Sequence, residues 1–238
     1  MNAVRVEGVF IGKAEEIGPG LSSAIDKRPI PHRLWLWPQG LATDEQGDLR
    51  FHGGPERAVH HYPAEHYLFW QQQYPQLQWR APTFGENLST RGLCESDVCI
   101  GDVFRWGDAL IQVSQPRSPC YRLSHRWGIE ELPLRVQNSG RCGWFYRVLK
   151  PGFVGPENGL HLMRRAHPGL SVARVVSHFF HFPLERSGLR QLVECPALSA
   201  RWRDLAAQRL ASGTLEDWSA RLQGLAPVGL RSTEAVHA

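Results

Sequence analysis

Of the five cysteines in this chain, at positions 94, 99, 120, 142 and 195, Cys120 has the setting of a reactive thiol. It closes the stretch SQPRSPC, residues 114–120, where Pro116 and Pro119 fix φ and withhold N–H donors. The expected product is a stiff loop that breaks any strand or helix and mounts one thiol three residues from Arg117, a cation that favours the thiolate. Cys99, in DVCIGDVF, and Cys195, in LVECPAL, sit among apolar residues and read as small core fillers. The cysteine number is odd, the spacing irregular and no CxxC pair occurs, so neither a zinc ribbon nor a thioredoxin motif is supported. In a reducing cytosol all five are expected as thiols.

Two further polar, glycine-bearing segments accompany this loop. The first is GLATDEQGDLRFHGGPERAVHHYP, residues 40–63. Gly53-Gly54 permits positive φ, and beside His52 and Arg57 such a turn can present N–H groups to an anion; the plainer reading is a tight turn between strand and helix. The second, TFGENLSTRGL, residues 83–93, reads by itself as a turn. Histidines 52, 60, 61 and 66 raise the question of zinc, but His61 and His66 are five apart, whereas a helix aligns i and i+4, and no HExxH motif is present. The DEQGD run lacks the order of an EF-hand loop. Two chemistries remain open: a Cys/His nucleophile pair with Cys120 activated by His52 or His61, or a soft thiolate in a cation-lined pocket that receives a metal carrying its own organic ligand.

The elements that must position these loops are mostly short strands to about residue 168. VRVEGVF alternates with period two, LWLW is a compact aromatic strand, and VFRW-GD-ALIQV has the pattern of a hairpin closed by Gly107-Asp108. WFYRVL and LHLM follow. One helix interrupts them, with Pro63 in its first turn, Tyr67, Trp70 and Tyr74 on one face, and Pro75 as its stop. After His167-Pro168-Gly169 three helices are expected. The first has Ser171 as N-cap and Val172, Val175, Val176, Phe179 and Phe180 on one face; the second carries Leu198, Trp202, Leu205 and Leu210 and stops near Gly213. The third runs from Thr214, with Asp217 completing an approximate capping box, to Gly224. This predicts a β-rich domain over 1–168, a three-helix domain over 169–225 and a loose tail over 226–238, with many short strands pointing to a barrel or sandwich.

The bulk properties restrict the function classes. At 238 residues, 42% hydrophobic and 21% charged, the chain has the composition of a soluble globular protein. It carries no apolar run of membrane-spanning length and no signal-peptide pattern, so a cytoplasmic location is expected. A net charge of +4 is too small to argue for nucleic acid. Only Lys13, Lys27 and Lys150 are lysines among 27 basic residues, a bias that genomic base composition explains unless the arginines lie at a site, where the planar guanidinium suits phosphate.

The segments in their order, GL..DxQ.D...HGGP..AV.HYP at 40–63, FGENL at 84–88, IGD at 100–102 and QPRSPC at 115–120, resemble the MOSC family, named for the C-terminal domain of molybdenum-cofactor sulfurase. The likeness is nearest to the bacterial hydroxylaminopurine-resistance (YiiM-like) subgroup and runs over nearly the whole chain, helices included. It implies an α+β fold: a MOSC-type β-barrel core with peripheral helices, followed by a small three-helix domain. It also implies a molybdenum-cofactor-dependent reductase that removes the hydroxyl oxygen from N-hydroxylated compounds, such as 6-hydroxylaminopurine, in a detoxification role. Cys120 would be the protein ligand to the metal. Arg57, Arg117, Lys27, Gly53 and Asn87 would hold the phosphate-bearing pterin, and His52 or His61 would donate protons. The chain has no flavin, haem or iron–sulfur motif, so a separate flavoprotein is expected to supply electrons. A non-catalytic carrier of the cofactor or its sulfur is the alternative, and a molybdenum-independent Cys/His hydrolase a third.

Overall fold

The computed structural model describes residues 3–18, 20–47 and 52–224; the expected tail over 226–238 lies outside these residues. Its frame is an eight-stranded sheet curled into a half-barrel. Across the sheet the strands run Leu160–Arg164, Val103–Trp106, Ala109–Pro116, Trp144–Lys150, Val59–Pro63, Leu88–Thr90, Val6–Ile11 and Arg28–Pro29. All neighbours are antiparallel except Val59–Pro63 and Leu88–Thr90, which pair in parallel with His61 opposite Leu88. The Gly107-Asp108 hairpin forms as read, with Ala109 opposite Trp106. Two small sheets flank the frame: Leu34–Trp37 between Gly152–Val154 and Gly40–Leu41, and Glu15–Gly18 with Leu21–Ser23.

Several local expectations need correction. Pro63 ends a strand rather than opening a helix, and the helix spans His66–Gln73 with Tyr67 and Trp70 buried. The strand Ala109–Pro116 continues to Pro116, which pairs with Trp144. A proline at the last position of a strand withholds a donor where the ladder is ending anyway, so only residues 117–120 form the loop. Two helices, Arg122–Trp127 and Leu132–Ser139, follow that loop at once, each stopped by a left-handed glycine, Gly128 and Gly140.

Beyond residue 168, Ser171 caps its helix by accepting from the Arg174 N–H, and the turn continues as a π-helical segment over Ser177–His181. An unexpected helix, Arg186–Val193, precedes the expected one at Ala200–Ser212. The last helix is only Ser219–Gln223: Asp217, expected to close a capping box from Thr214, instead accepts from Ser219 N and Oγ where the short helix begins, and Glu216 pairs with Arg209. One hydrophobic cluster runs from the sheet (Val59, Ile111, Trp144) into these helices (Val172, Leu189, Trp202). A second, with Tyr62, Trp70, Phe84, Leu123 and Val136, seats the two helices behind the cysteine loop.

Candidate functional site

The loop of Cys120 opens onto a cavity of about 560 Å³. On one side it is lined by the sheet and its loops, including His52, Arg57, His60, Gln115, Arg117 and Cys120. The other side comes from the C-terminal helices, through Phe179, Arg201, Trp202, Leu205, Trp218 and Arg221. The loop is held at both ends. Arg117 donates its N–H to the Gly143 carbonyl at 3.0 Å, and the Cys120 carbonyl accepts from Leu123 N at 3.0 Å as the next helix begins.

Cys120 Sγ lies 3.6 Å from His52 Nε2. Burial by itself raises the thiol pKa; the hydrogen bond from His52, the charges of His52 and Arg117, and the Arg122 N–H more than offset it, leaving Cys120 at about 7. Three other thiols move the opposite way. Burial, with nearby carboxylates, pushes Cys94 up to about 11 and Cys142 up to about 12, and burial also raises Cys99. Cys195 is buried in the hydrophobic core as expected, whereas Cys99 is buried outside it, its Sγ donating to the Pro168 carbonyl at 3.6 Å.

The cations expected at the site converge there. Gly53 and Gly54 both have positive φ, at 83° and 84°, and lead into the turn Pro55–Arg57 that carries Arg57 to the cavity. A Cβ on Gly53 would lie 2.9 Å from the Gln46 side chain, so a substitution there meets both strain and crowding. Burial and the facing guanidinium of Arg201 lower the pKa of Arg57. Arg117 is 8% exposed and its Nη1 has no hydrogen-bond partner. Unpartnered buried donors are rare in folded proteins, and one that lines a cavity fits an anionic ligand.

His61 is not at the cavity. Its Nδ1 meets the Tyr146 hydroxyl at 3.0 Å, its Nε2 the Thr90 hydroxyl at 2.8 Å, and its ring packs 4.2 Å from Trp144. Full burial pushes its pKa down to about 3, which removes it as a proton donor near neutral pH. The alternation of a strand explains the change: in Val59–Pro63, neighbours point to opposite faces, and His60 takes the cavity side. His60 Nε2, like Arg117 Nη1, is buried and unpartnered, and burial with the Arg117 charge keeps the ring neutral.

Lys27 and Asn87 line the cavity but are engaged in bracing it. Lys27 Nζ is 2.5 Å from Asp44 Oδ1, both side chains being buried. Asn87 Nδ2 donates to Asp44 Oδ2 at 2.8 Å and to the Phe10 carbonyl at 3.1 Å, while its Oδ1 accepts from His60 N. Both therefore hold the wall, Asn87 by fixing the backbone of His60. Sequence reasoning missed His60, Gln115, Arg201 and Arg221. The first was within reach of strand alternation, but the two late arginines lie in no motif and reach the site only through the packing of the helices.

Residues 48–160 match the MOSC domain model and residues 170–213 match the YiiM-like, 3-alpha helix domain. The chain is 43% identical to Protein YiiM of Escherichia coli (strain K12) over 218 residues, which is 91% of this chain and 97% of that protein. The chain belongs to the YiiM-like MOSC family. The crystal structure of YiiM from Escherichia coli superposes with a TM-score of 0.81 at 38% identity, covering 94% of this chain and 100% of the other. A longer protein of Gibberella moniliformis named Reductase is 34% identical over 208 residues, 84% of this chain and 36% of its own length. MOSC domains are associated with molybdenum-cofactor binding, and members are often cofactor-dependent oxidoreductases.

The donor set suits such a group. It offers one soft thiolate for a metal, and for an anionic organic part an unpartnered buried donor on Arg117 beside the unpartnered Nε2 of His60. Among the described residues no three His, Cys, Asp or Glu side chains are grouped to hold a bare ion. No helix among them is long and apolar enough to cross a membrane.

Proposed function

We propose that this MOSC protein is a molybdenum-cofactor-dependent reductase of N-hydroxylated compounds, 6-hydroxylaminopurine-type base analogues among them, with Cys120 as the protein ligand to the metal. The observation that carries this reading is the cavity-facing thiol held near pKa 7 beside the unpartnered buried donor of Arg117. When bound, the cofactor supplies two-electron oxygen-atom chemistry.

The overall reaction takes up two electrons and two protons: the N–O bond breaks, an N–H bond forms and the oxygen leaves as water. The residues of this chain bind, orient and protonate. His52 Nε2, 3.6 Å from Cys120 Sγ, holds the thiolate by hydrogen bond and is placed to deliver a proton at the cavity. Arg117, Arg57 and the neutral His60 offer donors to anionic groups, and the Lys27–Asp44–Asn87 link keeps that wall rigid. Phe179, Trp202 and Trp218 give the helix side of the cavity an apolar, aromatic face. Electrons come from a separate flavoprotein.

The test is elemental analysis and pterin fluorescence on protein from a host that makes the cofactor, together with reduction of 6-hydroxylaminopurine. Near-stoichiometric molybdenum and pterin are expected, with both metal and turnover lost in Cys120→Ser. Full metal content and turnover in Cys120→Ala overturns the assignment. Cofactor binding without turnover of any N-hydroxylated compound reduces the protein to a carrier.

A further inference from the structure

The residues on either side of Cys120 are both tied to one residue of the last helix. Arg221 Nη1 donates to the Pro119 carbonyl at 2.7 Å, and the Arg221 carbonyl accepts from Tyr121 N at 2.9 Å. The guanidinium is fixed in turn, since Nη2 donates to Gln137 Oε1 at 2.7 Å and the group lies over the rings of Phe180 and Trp218 at 5.4 and 5.5 Å. Gly224 fits against the Tyr121 ring, where a Cβ would come within 3.0 Å. A half-buried arginine that spends its donors on a loop carbonyl 102 positions away, immediately before a cavity-facing thiol, does more than fill space.

We propose that Arg221 is the positioning residue of Cys120: through it the C-terminal helices set the height of the thiol in the cavity. The helices are then part of the site rather than a brace behind it. Around the thiol, His52, Arg57 and Arg117 reach the cavity from the sheet side, whereas Arg221 reaches it from the last helix.

The proposal rests on Cys120 being the reactive thiol and is tested apart from the cofactor. Protein made without cofactor supply is alkylated at one fixed pH with iodoacetamide and, in parallel, with a bulkier maleimide, with peptide mapping of Cys120 and Cys120→Ser as the blank. Arg221→Met keeps an apolar stem against Phe180 and Trp218 while removing the donors. The expected result is a several-fold change in the ratio of the two Cys120 rates, because a thiol no longer held at one height is reached differently by small and large reagents, with the melting temperature little changed. Arg221→Lys, which can still donate to the Pro119 carbonyl, is expected to return the ratio most of the way. A wild-type ratio in Arg221→Met overturns the proposal, and a Lys variant no better than Met overturns the role of the donated hydrogen bond. Should Arg221→Met fail to fold, Gln137→Leu, which frees the guanidinium from its anchor, is read the same way: a changed ratio supports the proposal and an unchanged ratio overturns it. Metal retained in Cys120→Ser would defeat the proposed function and leave the alkylation result standing.

Discussion

Adjacent histidines with opposite fates carry the lesson at the scale of residues. His60 faces the cavity with an unpartnered Nε2, while His61 is locked between Tyr146 and Thr90. His61→Ala is therefore expected to lower stability by about 3 kcal/mol, the usual cost of deleting a large buried side chain. His60→Ala is expected to cost less in denaturant melts but to reduce molybdenum and pterin retention. The two histidines also give an acid dependence. Burial depresses His61 to about 3, and the unfolded chain takes up a proton below about 6.5, so its contribution is full above pH 6.5 and is lost as pH falls toward 3. Glu86 opposes this: burial raises it to about 7, so it favours folding below about 4.5 and loses that effect as pH rises through 7. Chemical denaturation from pH 7 to 4 should show the histidine loss, with a flatter slope in His61→Gln. Cys120 and Arg117 were legible in the sequence because proline, cation and thiol lie within seven residues. The His60/His61 assignment was not, because it depends on which face of a strand meets the cavity.

At the scale of elements, the turn before the strand Trp144–Lys150 governs the cysteine loop from below. Gly143 has φ 69°, its carbonyl accepts from Arg117 N, and its N–H donates to Glu95 Oε1 at 2.8 Å. A Cβ there would lie 2.2 Å from the His61 carbonyl. Gly143→Ala should destabilise the protein by about 2 kcal/mol or more, as strain and backbone overlap add, and a thermal melt measures it. The strands and the Gly107-Asp108 hairpin were readable because alternation and turn chemistry are local signals. The helices Arg122–Trp127 and Arg186–Val193 were not, for they are short and their apolar residues too few to show a period; Leu123 is the one buried hydrophobic residue of the first. The third C-terminal helix was overread because Asp217 serves Ser219, two residues on, rather than reaching back to Thr214, while Glu216 is held by Arg209.

For the whole molecule, the decisive feature is that one hydrophobic cluster crosses residue 168 from the sheet into the helices. Calorimetry should give a single cooperative transition, and a chain cut at 168 should fail to fold, because Val59, Ile111 and Trp144 lose part of their cover. Two separable transitions would contradict this. The same connectivity orders events during synthesis. Arg221 is 102 positions after Pro119, so at about 5–20 residues per second the ribosome completes the pin roughly 5–20 s after the loop it holds. A nascent chain thus carries its thiol on an unfastened loop and lacks the far wall of the cavity. Loading of any ligand there is an event for the finished chain.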